Sequence, residues 1–113
     1  MREISRLASK ALMSHTEFKR SNTQVILDPS GCAYLSLHRN CIAYHEPNGE
    51  LKITNCGWST VTTKDRLNAL PSVHIQQRKG VWYLNGEEWD GEWITVISGT
   101  SPTVVDESKE EIE

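Results

Sequence analysis

Four dipeptides, Arg39-Asn40, Asn48-Gly49, Lys79-Gly80 and Asn85-Gly86, each stand between short runs of alternating apolar and polar residues. Asn-Gly favours the type I′ turn because both central residues need φ > 0, and the twist of that turn matches a pair of antiparallel strands. Placing the turns places the strand register, and register decides which side chains share a face. The chain is therefore expected to build hairpins and to cover them with whatever helices it has.

Val25–Asp28 reads as a strand closed by the turn Asp28-Pro29-Ser30-Gly31, followed by strands at Tyr34–His38, Cys41–Glu46 and Leu51–Cys56. With Arg39-Asn40 and Asn48-Gly49 as two-residue loops, Leu37 faces Ile42, Tyr44 faces both Leu35 and Ile53, and Glu46 faces Leu51. Leu35, Leu37, Ile42, Tyr44, Leu51 and Ile53 then form the core face. A last hairpin, Val73–Arg78 and Val81–Leu84, turns Ile75, Gln77, Trp82 and Leu84 inward and His74, Gln76, Arg78 and Tyr83 outward. Trp93–Ile97 is expected to close the sheet.

Ile4, Leu7, Ala8, Ala11 and Leu12 recur at helical spacing and make one apolar stripe on a helix of about three to four turns. That stripe suits the core, or alternatively the seam of a homodimer. Residues 14–23 read as a polar connection anchored by Phe18. A second, short helix has Thr62 as its expected N-cap with Asp65 three residues on, Leu67 and Leu70 inward, and Pro71 as its stop. The expected fold is α+β: an N-terminal helix and one short internal helix on a twisted antiparallel sheet of about six or seven strands. Residues 1–97 are expected to form the single domain, and residues 98–113 are expected to be an acidic, disordered tail.

The net charge of −3 conceals a gradient: residues 1–22 carry +3, residues 23–84 carry +2 and residues 85–113 carry −8. A basic body can meet nucleic acid, while an acidic end can mask that surface or mimic a phosphate backbone. No apolar run approaches the roughly 18 residues of a membrane span, and no signal-peptide core follows Met1, so a cytoplasmic location with no membrane partner is expected. Three cysteines are an odd count and read as free thiols.

Candidate chemistry is sparse. No nucleophile–base pair sits on a strand–turn–helix elbow, no carboxylates pair for acid–base work and no Gly-rich loop precedes a helix. The chain is read as no enzyme, and no cofactor is called for. The expected register puts His38, Cys41 and Cys56 in a row on the outer face, where zinc or a Cys41–Cys56 redox pair is conceivable, but the spacing is that of no zinc module. The outer face of the last hairpin shows Arg78 and Tyr83, with Arg39, Lys64 and Lys79 on loops, the general form of a single-strand stacking platform. Trp89 and Trp93 lie among Glu87, Glu88, Asp90 and Glu92, a setting natural for binding anchors. The alternative is that Trp93 begins the last strand facing inward and Trp89 caps the core edge.

The stretches Leu37-His38-Arg39-Asn40-Cys41-Ile42-Ala43 and Gly57-Trp58-Ser59-Thr60-Val61-Thr62-Thr63-Lys64-Asp65-Arg66-Leu67-Asn68 resemble a family of small phage- and prophage-encoded proteins with the pattern LHGN-x-IA … GW-x-T-x-TT-x-x-RLN. The chain departs from it at Arg39, where the pattern has Gly, and at Ser59, where it has Pro; Cys41 and Cys56 stand outside it. The resemblance implies a phage origin, hence a host-cell cytoplasm, and no particular activity. It draws attention to Arg66 and Asn68, which either contact a partner or tie strand ends and loops. The first functional expectation is an accessory protein that binds or inhibits a host or defence protein through Trp89, Trp93 and the acidic end. The alternative is a nucleic-acid binder using Arg39, Arg66, Arg78, Lys79 and Tyr83.

Overall fold

The computed structural model describes residues 2–96. Helix α1 (Glu3–Met13) leads into β1 (Phe18–Arg20), β2 (Thr23–Leu27), β3 (Ala33–Leu37), β4 (Asn40–His45) and β5 (Leu51–Ile53). Helix α2 (Val61–Asn68) follows, then β6 (Ile75–Arg78), β7 (Val81–Leu84), β8 (Glu87–Glu88) and β9 (Ile94–Val96). The architecture is α+β as expected, with two antiparallel sheets in place of one: β1-β2-β3-β4-β5-β9 and β6-β7-β8. Residues 14–23 hold the edge strand β1 as well as a connection. The expected domain end at residue 97 and the acidic tail lie outside the described residues. Among the described residues, no helix is long and apolar enough to cross a membrane.

The last two turns sit where the sequence places them, with Lys79-Gly80 at φ of 51° and 82° and Asn85-Gly86 at 52° and 91°. The first two do not. The β3–β4 turn uses His38-Arg39, at φ of 51° and 69°, so that Leu37 pairs with Asn40. Two non-glycine residues in the left-handed region cost roughly 1–2 kcal/mol each. Ser36 pairs with Cys41 and Leu35 with Ala43, leaving Ile42 as the extra residue of a β-bulge. The β4–β5 loop has three residues, Pro47-Asn48-Gly49. Glu46 N–H donates to Glu50 O at 2.8 Å, Gly49 N–H to Glu46 O at 2.9 Å, and Gly49 stands at φ 97°. Pro presets the first central position of a type I turn, and glycine completes the three-residue hairpin.

These two shifts correct the expected register. Ala43 now faces Ile53, and Tyr44 faces Lys52 on the outer side. Leu35, Leu37, Ile42, Leu51 and Ile53 remain in the core, joined by Ala43. Each fully buried Leu or Ile contributes about 1.5–3 kcal/mol. Gln77, expected inward, is exposed and accepts from Lys64 Nζ at 2.9 Å, because the hairpin end overshoots the core.

Helix α1 buries Ser5, Ala8, Ser9, Ala11 and Leu12, a face of mostly small side chains that lies close on α2 and β2. Of the expected stripe, Ala8, Ala11 and Leu12 are buried within the chain, whereas Ile4 and Leu7 are half-buried. Helix α2 begins two residues earlier than expected: Thr60 is the N-cap, accepting from Thr63 N–H at 3.1 Å, so Thr62 is not the cap. Asp65 turns instead toward α1, where Ser5 Oγ–H donates to it. Arg66, 2% exposed, completes this junction: Nε donates to Thr23 Oγ1 at 2.9 Å, one terminal nitrogen to Ser5 Oγ at 2.8 Å, and Asp65 Oδ2 lies 3.6 Å away. One guanidinium therefore ties α2, α1 and β2. Arg66→Met, which removes the buried donors to Ser5 and Thr23 and the cation beside Asp65, should lower unfolding free energy by about 2–4 kcal/mol in urea titrations.

The far end of α1 is tied by His15, whose Nε2 lies 2.9 Å from His45 Nδ1, one ring donating to the other. Burial, then the charge of His15, holds the His45 imidazole below its ordinary 6.5. The unfolded chain therefore takes up this proton first. Stability from this contact is complete above about pH 6.5 and falls on acidification below it. His45→Asn should flatten that part of the stability–pH profile measured by chemical denaturation.

Candidate binding face

Because the register sends Tyr44 outward, the outer face of the six-stranded sheet carries a continuous row. Ile26 pairs with Tyr34, Tyr34 with Tyr44, Tyr44 with Lys52, and Lys52 with Thr95. The Tyr34 and Tyr44 rings lie 5.7 Å apart, and Trp93 packs on Tyr44 at 5.1 Å with a 60° tilt. The core packs on the opposite side of the sheet, and this row stays open, with Ile26 42% and Trp93 48% exposed.

Tyr34 and Tyr44 each have a polar partner. Tyr34 O–H donates to Asp28 Oδ2 at 2.7 Å, and Asp28 Oδ1 accepts from Ser30 and from Cys32 N–H within the β2–β3 turn. Hydrogen bonds from Ser30, then Tyr34, hold the Asp28 carboxyl at about 2. Lys52 Nζ lies 5.5 Å over the Tyr44 ring and 2.9 Å from Glu46, with Glu50 at 3.8 Å. The Glu46 hydrogen bond, then Tyr44, raises the lysine's pKa and keeps it cationic.

Trp93 is presented by the preceding loop, which is pinned to the end of β5. Gly91 O accepts from Thr54 Oγ1 at 2.5 Å and from Asn55 N–H at 3.0 Å. Trp89 Nε1–H donates to Glu92 O at 2.9 Å from a site 7% exposed, its ring 6.2 Å from Trp82. Gly91 stands at φ 89°, and a Cβ there would meet the Asn55 side chain at 2.2 Å. Gly91→Ala should therefore displace this loop. The expected signature is a several-degree drop in the thermal midpoint together with a red shift of the exposed Trp93 emission.

The residues singled out from sequence fall in different places. Trp93 faces outward rather than in, while Trp89 is buried beside Trp82 and holds the loop through Glu92 O. Arg66 is buried in the α1–α2–β2 junction. Asn68 clasps the start of β6, donating to Ile75 O at 3.2 Å and accepting from Ile75 N–H at 2.6 Å. Arg78 lies 5.9 Å from the Tyr83 ring on the three-stranded sheet with Lys79, whereas Arg39 is on the other sheet at the β3–β4 turn. The nucleic-acid set expected from sequence is therefore not assembled on one surface. His38 does not join Cys41 and Cys56 in a row, since it sits in the turn 3.3 Å from the Asn22 amide, whereas Cys41 and Cys56 line one shallow concavity. The three thiols are free, and no three His, Cys, Asp or Glu side chains gather to hold a metal among the described residues. Tyr34 and Tyr44 were missed as surface groups. Reading Pro47-Asn48-Gly49 as a three-residue loop would have found Tyr44.

Neither the curated proteins nor the solved structures hold a match to this chain. The model of the Kyanoviridae Gp96 protein family matches residues 1–100, a span that takes in both helices and all the strands described above. The chain belongs to the Kyanoviridae Gp96 family of phage proteins.

Proposed function

We propose that this phage protein is an accessory factor that acts by binding rather than catalysis, in the host cytoplasm, and that its outer sheet face engages a basic segment of a host or defence protein. The observation that carries this reading is the open Tyr34–Tyr44–Trp93 row fringed by carboxylates. Glu46 and Glu50 border it at the β4–β5 hairpin, and Asp90 and Glu92 belong to the loop that presents Trp93. Aromatic faces with carboxylates beside them attract Lys and Arg side chains through the ring quadrupole and through charge. Lys52, lying over Tyr44 and against Glu46, already makes this contact within the chain. Two or three cationic side chains of a partner would repeat it on the neighbouring rings. The acidic balance of residues 85–113 adds long-range attraction for the same kind of surface.

Nuclease-treated host lysate passed over the immobilised full-length protein, followed by mass spectrometry, identifies the partner. Trp93→Ala and Tyr44→Ala should each weaken its binding about tenfold or more, since exposed aromatic anchors dominate interface energies. Their thermal midpoints should move little. Glu46→Gln with Glu50→Gln should slow association and reduce its salt dependence. Partner binding unchanged in Trp93→Ala would remove this reading.

A further inference from the structure

At the end of the sheet opposite Glu46 and Glu50, the β1–β2 turn, the β3–β4 turn and the segment entering α2 come together. Two concavities adjoin there. One, of about 270 Å³, is mostly apolar, with walls from Leu37, Ile42 and Trp58, and has His38, Asn40 and Thr62 along its edge. The other, of about 300 Å³, is polar and includes Lys19, Asn22, Ser36 and Arg39. His38 borders both.

Three features of this corner bear on what it can bind. Trp58 is 56% exposed, although Trp82 and Trp89 are buried. Lys19 and Arg39 make no ion pair among the described residues, where the paired cations are Arg20, Lys52 and Arg66. His38 and Arg39 both hold left-handed backbone, which glycine would adopt without strain. Strain kept at a turn whose side chains border two concavities points to a use for those side chains.

An apolar, aromatic-walled slot beside a cationic recess repeats the chemistry of a nucleotide, whose flat base has apolar faces and polar edges and whose phosphate is anionic. We infer that this corner binds single-stranded nucleic acid: one base enters the slot against Trp58, and an adjoining phosphate rests on Lys19 and Arg39. His38, Asn40 and Thr62 offer polar groups to the base edge, which a purely aliphatic occupant would leave unpaired. Of the residues suggested for nucleic acid by the sequence, this site uses only Arg39. It shares no residue with the aromatic face, so the two readings stand or fall separately.

The full-length protein is titrated with fluorescein-labelled oligothymidylate of about twelve nucleotides, and in parallel with thymidine monophosphate and inorganic phosphate. Expected results are quenching of exposed tryptophan emission by the oligonucleotide and an affinity that falls as salt rises. Trp58→Ala should weaken binding about tenfold. Arg39→Gly should weaken it while raising the thermal midpoint, because glycine relaxes the turn, and this separates lost contact from lost folding. Absence of oligonucleotide binding, or binding indifferent to both substitutions, would overturn the inference. So would inorganic phosphate competing as well as the monophosphate, or a leucine- and aspartate-containing peptide displacing the oligonucleotide from the same two residues.

Discussion

Ile42 is the extra residue of the bulge in β4, and the placement of nearly every side chain on the main sheet follows from it. Ile42 and Ala43 are consecutive, and a regular strand would send one of them to solvent. The bulge lets both be buried, at 1% and 0% exposure, and sends Tyr44 to the outer face. The His38-Arg39 turn and the three-residue Pro47-Asn48-Gly49 loop accommodate this register at the two ends of the strand. Without it Tyr44 would lie in the core and the aromatic row would have no centre.

The core side of the same sheet is held together by polar chemistry as much as by burial. Ser5, Thr23 and Arg66 are all buried and satisfy one another, with Asp65 balancing the guanidinium charge. Such a network costs desolvation, which opposes the charged form of Arg66, but it accepts only one arrangement of α1, α2 and β2. The small side chains along α1 permit the close approach that the network requires. The His15–His45 contact then fixes the other end of the helix, so α1 is tied at both ends to elements far from it in sequence.

The charges that remain on the surface are divided along the strands. Glu46 and Glu50 occupy the hairpin end of β4 and β5, whereas Lys19 and Arg39 occupy the opposite end. A sheet polarised in this way presents two chemically different surfaces without needing two domains. The proposed cation preference of the aromatic face rests on carboxylates standing beside ring faces. The proposed anion preference of the Trp58 corner rests on Lys19 and Arg39, which form no ion pair among the described residues.

Local sequence by itself determined the turns at Lys79-Gly80 and Asn85-Gly86, the helix stripe of α1 and the presence of α2, because these depend on neighbours a few residues apart. The buried identities of Leu35, Leu37, Ile42, Leu51 and Ile53 were legible for the same reason. The burial of Arg66 was not, since its partners Ser5 and Thr23 lie 61 and 43 residues away. Nor was the outward aspect of Tyr44: the bulge at Ile42 reverses the face of the strand beyond it, and only the demand to bury Ile42 and Ala43 together selects the bulge. Trp93 was visible as an acidic-loop tryptophan, but its position on the outer face depends on Thr54 and Asn55 gripping Gly91 across the fold. Sequence specified the hairpins and helices through short-range geometry; tertiary packing, which alone weighs burial between distant segments, decided which residues became surface.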